Sequence, residues 1–276
     1  MLLNQISKRL CLAAVATLLG CSLAKADIVS TIENAKSGST VNVSGTYSVT
    51  VPIYVPGGVT VTGPATFNFN NAANGFICNG NNVKLNQLTV TGSGNVGIYI
   101  YGVSGCVINS CNAEGNANTG IQIQASGANN NTIQYCESYN NVDTATDGQN
   151  ADGITCKFGA GTGNVIKNCN MFDNADDGSD FWQAGAPVTV TSCQAYSNGK
   201  LSEGNGNGFK MGSTGDKNAH IYTSCIAHNN SGVDGGSGFT QNGNTGACHL
   251  TTCHSYSNQN NDVLNNCILT NCTMQQ

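Results

Sequence analysis

Charge is scarce in this sequence: 9% of its 276 residues are Asp, Glu, Lys or Arg, against about a quarter in an ordinary soluble domain. A disordered chain needs high net charge and few apolar residues, and a hydrophobic content of 39% with a net charge of -5 excludes that class. Long amphipathic runs of Leu, Glu, Lys and Ala are also missing, which excludes a helical bundle. Their place is taken by Asn, Gly, Ser and Thr, all poor residues for a helix interior. Beyond the N-terminus no apolar run is long enough to cross a membrane as a helix, so no membrane partner is expected. What is present is β-branched strand material punctuated by 35 glycines, in a length that fits one all-β domain with a sizeable core.

The first 26 residues read as a secretory signal. Lys8 and Arg9 precede an apolar run from Leu10 to Leu19, and Ala24-Lys25-Ala26 offers a small-x-small cleavage site before Asp27. A competing cut lies at Leu18-Leu19-Gly20-Cys21, which resembles a lipoprotein box with an atypical Leu before the Gly. Residues 27–276 would then form a single secreted domain. Removing the signal takes Lys8, Arg9 and Lys25 and leaves seven lysines against fifteen acids, a net of -8 with no arginine. That argues against nucleic acid, whose phosphates are met by clustered Lys and Arg. A polyanionic partner would have to be met by a few lysines or by a metal, and a monomer is expected.

Self-similarity dominates the rest of the chain. One cysteine recurs at positions 111, 136, 169, 193, 225, 253 and 272, preceded each time by a short β-branched run. Five residues after the first six come Asn116, Asn141, Asn174, Asn198, Asn230 and Asn258. Three residues after, a ring recurs at Tyr139, Phe172, Tyr196, His228 and Tyr256. A second register begins on Gly75, Gly97, Gly120, Gly153, Gly178, Gly208 and Gly238. A constant local pattern at variable interval means that strands stack in register while loops of different length bulge between them. A parallel β-helix satisfies this, with equivalent residues of successive coils about 4.8 Å apart in ladders. About nine coils are expected from Val41 onward. Ile28, Val29, Ile32 and Ala35 lie on one face of a short capping helix that stops at Gly38.

Twelve cysteines follow the signal. In a secreted protein they invite disulfides, yet most occupy an inward ladder position where a thiol acts as a small apolar side chain, so an unpaired stack is favoured. Cys248 with Cys267 and Cys253 with Cys272, each 19 residues apart, are the best candidates for bridges. There is no paired C-x-x-C pattern for zinc, and His220, His228, His249 and His254 fall in ladder positions as ordinary strand residues.

Seven of the fifteen acids fall within 38 residues: Asp143, Asp147, Asp152, Asp173, Asp176, Asp177 and Asp180. Asp is a turn residue, and loops alone could collect it. Register separates the two readings. With Gly153, Gly178 and Gly208 aligned, Asp152 sits beside Asp177 and Asn207, and Thr155 beside Asp180 and Lys210. Asp152, Asp176, Asp177, Asp180 and Lys210 then converge on one outer patch. Four neighbouring carboxylates repel strongly, the nearby lysines look too few to neutralise them, and an all-oxygen donor set favours Ca²⁺. An EF-hand over Asp173–Gly178 fails, because Ala175 and Ala184 fall at its ligand positions. Any such site is assembled across coils, with loops from the long intervals walling a groove.

The segments Ala151-Asp-Gly-Ile-Thr-Cys-Lys157, Asn174-Ala-Asp-Asp-Gly-Ser-Asp-Phe-Trp182 and Gly206-Asn-Gly-Phe-Lys-Met-Gly212 resemble the central coils of polysaccharide lyase family 9, the pectate lyases built on a right-handed parallel β-helix. The resemblance covers roughly residues 110 to 260. It implies Asp152, Asp176, Asp177 and Asp180 as Ca²⁺ ligands and Lys210 as the base that takes the C5 proton of a 4-linked galacturonan, with polygalacturonate as substrate. The chemistry agrees: that proton is acidic only when the adjacent carboxylate is neutralised, and a nearby divalent cation lowers the pKa of an ammonium. Lys157, Lys200 and Lys217 could bind further substrate carboxylates. Trp182, the single tryptophan, could stack on a sugar or fill space. A polygalacturonase-type hydrolase on the same fold, or a Ca²⁺-binding adhesin without catalysis, are the alternatives. The hydrolase lacks its expected His-Gly and Arg-x-Lys elements here.

Overall fold

The computed structural model describes residues 28–199, 204–233 and 235–276. The expected signal peptide, its two cleavage sites and Lys200 lie outside these residues. The described chain is a parallel β-helix. One face is a sheet of eight short parallel strands running from Ile53–Pro56 to Phe239–Thr240, each paired with its equivalent in the next coil. The remaining 17 strands form a second sheet in two columns, one continuing through Val165–Lys167, Thr189–Thr191 and Ile221–Thr223, the other through Asn170–Phe172, Gln194–Tyr196 and Ile226–His228. Residues 28–33 form the expected short helix; Ile28 and Ile32 pack into the core, and the backbone N–H of Tyr54 donates to Glu33. No helix among the described residues is long and apolar enough to cross a membrane.

The two columns are separated by a bend, and the sequence encodes it. The residue before each ladder cysteine (Ser110, Tyr135, Asn168, Ser192, Ser224, Thr252 and Asn271) has φ between 52° and 55°, as does the residue before each ladder asparagine from Asn140 to Ser257, at 53° to 56°. A left-handed residue turns the chain inward, and short polar residues tolerate it best. The thiol then points into the lumen and donates back to carbonyls, as Cys136 Sγ does to Gln134 at 3.2 Å. All twelve described cysteines are free thiols. The unpaired stack is therefore the arrangement found, and neither candidate bridge is closed. Cys248 and Cys267 do flank paired strands, and Cys253 N donates to Cys272 Sγ at 3.3 Å, so the expected adjacency is present without the bond.

The asparagine column is a continuous buried hydrogen-bond chain. Asn141 donates to Asn174 at 2.8 Å, Asn174 to Asn198 at 3.0 Å, Asn198 to Asn230 at 3.0 Å and Asn230 to Asn258 at 2.9 Å. Beside it the rings of Tyr139, Phe172, Tyr196, His228 and Tyr256 stack within 7° of parallel at 4.7 to 5.1 Å, the strand repeat. The glycine register lies against these amides. A Cβ on Gly178 would sit 2.6 Å from Gly208 O, 2.8 Å from Ala195 Cβ and 2.9 Å from Asn198 Nδ2. Gly178→Ala must spread two coils and is expected to cost about 1–3 kcal/mol. Thermal melting should show this as a fall of several degrees; an unchanged midpoint would mean that the coil spacing relaxes freely at this rung.

Candidate active site

The site grows out of the eight-stranded sheet. Strand Ile154–Lys157 pairs with Ser179–Asp180, which pairs with Phe209–Lys210, in the register Thr155 to Asp180 to Lys210. Alternation sends Ile154, Cys156, Phe181, Phe209 and Met211 into the core and leaves Thr155, Lys157, Asp180 and Lys210 on the other face. One step earlier in each coil, Asp152, Asp177 and Asn207 form a ladder of their own. Asp177 N donates to Asp152 Oδ1 at 3.3 Å, Asn207 N to Asp177 Oδ1 at 2.7 Å and Ser237 N to Asn207 Oδ1 at 3.1 Å. Asp176 Oδ1 accepts from Asn205 N at 2.7 Å, and Asp180 Oδ1 from Trp182 N at 2.9 Å. Each acid is thus fixed by a backbone N–H on one oxygen.

The second oxygens of three acids face ammonium groups. Lys157 Nζ lies 2.7 Å from Asp152 Oδ2 and 2.9 Å from Asp180 Oδ2. Lys210 Nζ lies 3.0 Å from Asp177 Oδ2 and 3.4 Å from Asp180 Oδ2, and donates to Asn205 Oδ1 at 3.1 Å. The Trp182 ring, 38% exposed, stands 5.5 Å from the same ammonium. Asp152, Asp176, Asp177 and Asp180 are at most 2% exposed and Lys210 is 5% exposed. The expected outer patch is therefore a buried cluster at the bottom of a cleft. The loop before Asp152 and the segment from Gly204 to Asn207 fold over it, and backbone hydrogen bonds from that segment seal it. Lys157, expected to bind a further substrate carboxylate, is one of two lysines inside the cluster and lines the cleft above it.

Burial pushes the carboxyl of Asp152 up to about 6, and raises Asp176 and Asp177 as well, in Asp176 with the help of the neighbouring Asp177 charge. Asp180 is also buried, but Lys157 and Lys210 together bring it below its ordinary value. Burial alone would lower the Lys210 ammonium; the charges of Asp177, Asp180, Asp176 and Asp152 outweigh it and hold the proton well above the ordinary lysine range. Lys210 is no base in that setting. With all six groups ionised, four carboxylates face two ammoniums, so two negative charges are uncompensated.

The donor set fits a hard divalent cation. Asp152, Asp176 and Asp177 each bring a ligand oxygen within 4.8 Å of the others, and the buried Asp177 Oδ2 has an ammonium near it but no hydrogen bond. Carboxylate oxygens of this kind suit Ca²⁺. Above the cluster is a cavity of about 290 Å³ lined by Lys157, Lys210, Asp180, Trp182, Phe158 and Asn205, among others. It shares Asn150, Lys157 and Phe158 with an adjoining recess of about 210 Å³, and Asn205 with another of about 330 Å³, so a groove passes across several coils.

A family model described as "Pel9A-like, right handed beta helix region" matches residues 19–271. The chain belongs to this family. Its right-handed β-helix is that of polysaccharide lyase family 9. Among curated relatives, the pectate lyase PEL9 of Emericella nidulans is 33% identical over 192 residues, 60% of this chain and 46% of that one. The pectate lyase L of Dickeya dadantii is 30% identical over 234 residues, covering 80% and 53%. This Pel9A-like chain spans about half the length of these relatives. The crystal structure of pectate lyase Pel9A superposes with a TM-score of 0.75 at 24% identity, over 89% of this chain and 72% of that one, a likeness of fold.

Other expectations fare differently. Asp143 caps a turn, accepting from Ala145 N and Thr146 N, and Asp147 is an exposed residue with φ 51°; for these two the turn reading of aspartate holds. Lys217 is exposed on the loop after Phe209–Lys210 and does not line the cavity. His220 is buried, its Nδ1 accepting from Val188 N, and burial lowers it to about 4, so it is a neutral core residue. Asn205 and Phe158 were not singled out in the sequence. Asn207 was visible only as the third rung of the Asp152–Asp177 column.

Proposed function

We propose that this chain is a secreted, Ca²⁺-dependent pectate lyase that cleaves 4-linked α-D-galacturonan by β-elimination. The observation that carries the reading is the set of four backbone-anchored aspartates beside Lys210 at the bottom of a groove, in a family whose curated relatives are pectate lyases. Asp152, Asp176, Asp177 and Asp180 would hold the cation. Bound there, Ca²⁺ would neutralise the uronate carboxylate, acidify the C5 proton and offset the carboxylates that keep Lys210 protonated. Lys210 Nζ takes the C5 proton, the electron pair forms the C4–C5 double bond, and the C4–O bond breaks, with the departing oxygen protonated by water. Asn205, accepting from Nζ, aims the amine into the cavity. Trp182 and Phe158 supply the apolar walls against which a sugar ring can lie.

The test is to incubate the mature protein with polygalacturonate, with Ca²⁺ and with chelator. Unsaturated product absorbing in the ultraviolet, lost with chelator, is expected. Reducing ends without unsaturation would move the assignment to a hydrolase, and neither product to a binding protein.

The raised carboxyls add a pH dependence. Protons compete with the cation for Asp152, which titrates near 6, and for Asp176, which is also raised. Ca²⁺ affinity should therefore weaken as pH falls through this range, by about tenfold between pH 7 and pH 5 if one proton competes. Calorimetric titration across that range checks it, and a flat profile would show that the acids stay ionised.

A further inference from the structure

Lys157 occupies a position that the elimination chemistry does not explain. It ends the strand Ile154–Lys157, and its Nζ bridges Asp152 Oδ2 and Asp180 Oδ2 at 2.7 and 2.9 Å. On both acids the other oxygen is already committed, Asp152 Oδ1 to Asp177 N and Asp180 Oδ1 to Trp182 N. The oxygens that Lys157 holds are thus the ones these two acids can offer to a cation. A divalent ion and an ammonium on the same two oxygens repel, and the ammonium is the one on a flexible stem. The same side chain borders two spaces: the cavity that contains Lys210, and the adjoining recess lined by Tyr99, Gln122 and Gln124. Among the described residues, Lys157 is the one charged group lining that recess.

We propose that Lys157 couples cation binding to polyanion binding. Held by Asp152 and Asp180 it is a tethered counterion that opposes a divalent cation; displaced by the cation, its ammonium moves to the adjoining recess and meets a carboxylate of the polymer there. Each ligand then strengthens the other, because the cation frees the ammonium and the polymer retains it, and the linkage is reciprocal. The inference rests on the calcium reading above and extends it to a residue that contributes no metal ligand.

Calorimetry with Ca²⁺ alone separates the two. Lys157→Met should bind Ca²⁺ more tightly than the wild type, by about tenfold. In a Lys210→Met background, where substrate is not consumed, saturating trigalacturonate should tighten Ca²⁺ binding by a similar factor. In the Lys157→Met, Lys210→Met double variant that tightening should shrink to the part that comes from the cation meeting the uronate directly, and an undiminished tightening overturns the coupling. Unchanged or weaker Ca²⁺ affinity in Lys157→Met, with Ca²⁺ binding intact in the wild type, overturns this inference alone. A wild type that binds no Ca²⁺ overturns the calcium reading with it. Should Lys157→Met fail to fold, acetylation of the wild type read by mass spectrometry decides the matter. Lys157 should be protected in chelator and modified with Ca²⁺, and equal modification in both would refute the displacement.

Discussion

Replacing Lys210 by methionine is expected to lower the rate of unsaturated-product formation from polygalacturonate by about 10²–10⁴, the range that one positioned base supplies. Methionine keeps an unbranched apolar stem and removes the amine, and with it the ammonium that stands 5.5 Å from the Trp182 ring centre. The amine has no substitute among the groups around it: Asn205 and Trp182 cannot take a proton at C5, and Lys157 is held by Asp152 and Asp180 or, once displaced by the cation, turns to the adjoining recess. The loss should fall on kcat with little change in KM, because the interaction removed exists only at the transition state. Calcium binding should persist and tighten, since Asp177 Oδ2 loses the ammonium 3.0 Å away. That second measurement separates catalysis from folding. A normal rate would remove Lys210 from the chemistry, and a rate lost together with calcium binding would make it a structural counterion.

How much of this was legible beforehand depends on whether a residue belongs to a ladder. The cysteine, asparagine, aromatic and glycine columns were readable because equivalent residues stack at one strand spacing, so each position is specified again in every coil. Asp152, Asp177 and Asp180 inherit that register, which is why their meeting with Lys210 could be derived by aligning Gly153, Gly178 and Gly208. Burial of the cluster was not legible. It comes from the loop before Asp152 and from Gly204 to Gly206, segments without periodicity that fold over the sheet through contacts such as Asn205 N to Asp176. The ion pairs of Lys157 are not legible for a related reason. Register shows that it emerges on the site face one alternation beyond Thr155, but it does not show that its stem turns back toward Asp152, five residues earlier in the chain.

The scaffold makes its own strong prediction at Asn198. Its side chain donates to Asn230 Oδ1 at 3.0 Å and to Met171 O at 3.1 Å, and accepts from the N and Nδ2 of Asn174 at 3.2 and 3.0 Å, all without solvent. Asn198→Leu keeps the branching of the side chain but leaves Asn174 N–H buried without a partner and takes one bond each from the Asn174 amide, which keeps Ser138 O, from Met171 O and from Asn230 Oδ1. At about 1–3 kcal/mol for the orphaned N–H and about 0.5–1.5 kcal/mol for each of the other three bonds, less what water entry recovers, the expected loss is about 3–6 kcal/mol. The position in the stack sharpens this. Asn198 joins rungs on both sides, whereas Asn258 stands at the end of the asparagine column, 7% exposed, with Gln275 Oε1 accepting from its N–H. Asn258 also accepts from the N and Nδ2 of Asn230 and donates to Ala227 O, but its outer side is open to water and an interior rung carries two interfaces, so Asn258→Leu should cost less. Denaturant unfolding of the two variants measures the difference. Equal losses would show that each asparagine stabilises only its own turn, whereas a larger loss at Asn198 would show that the column transmits strain from coil to coil, through Asn174 to the Asp176–Asp177 segment beside it.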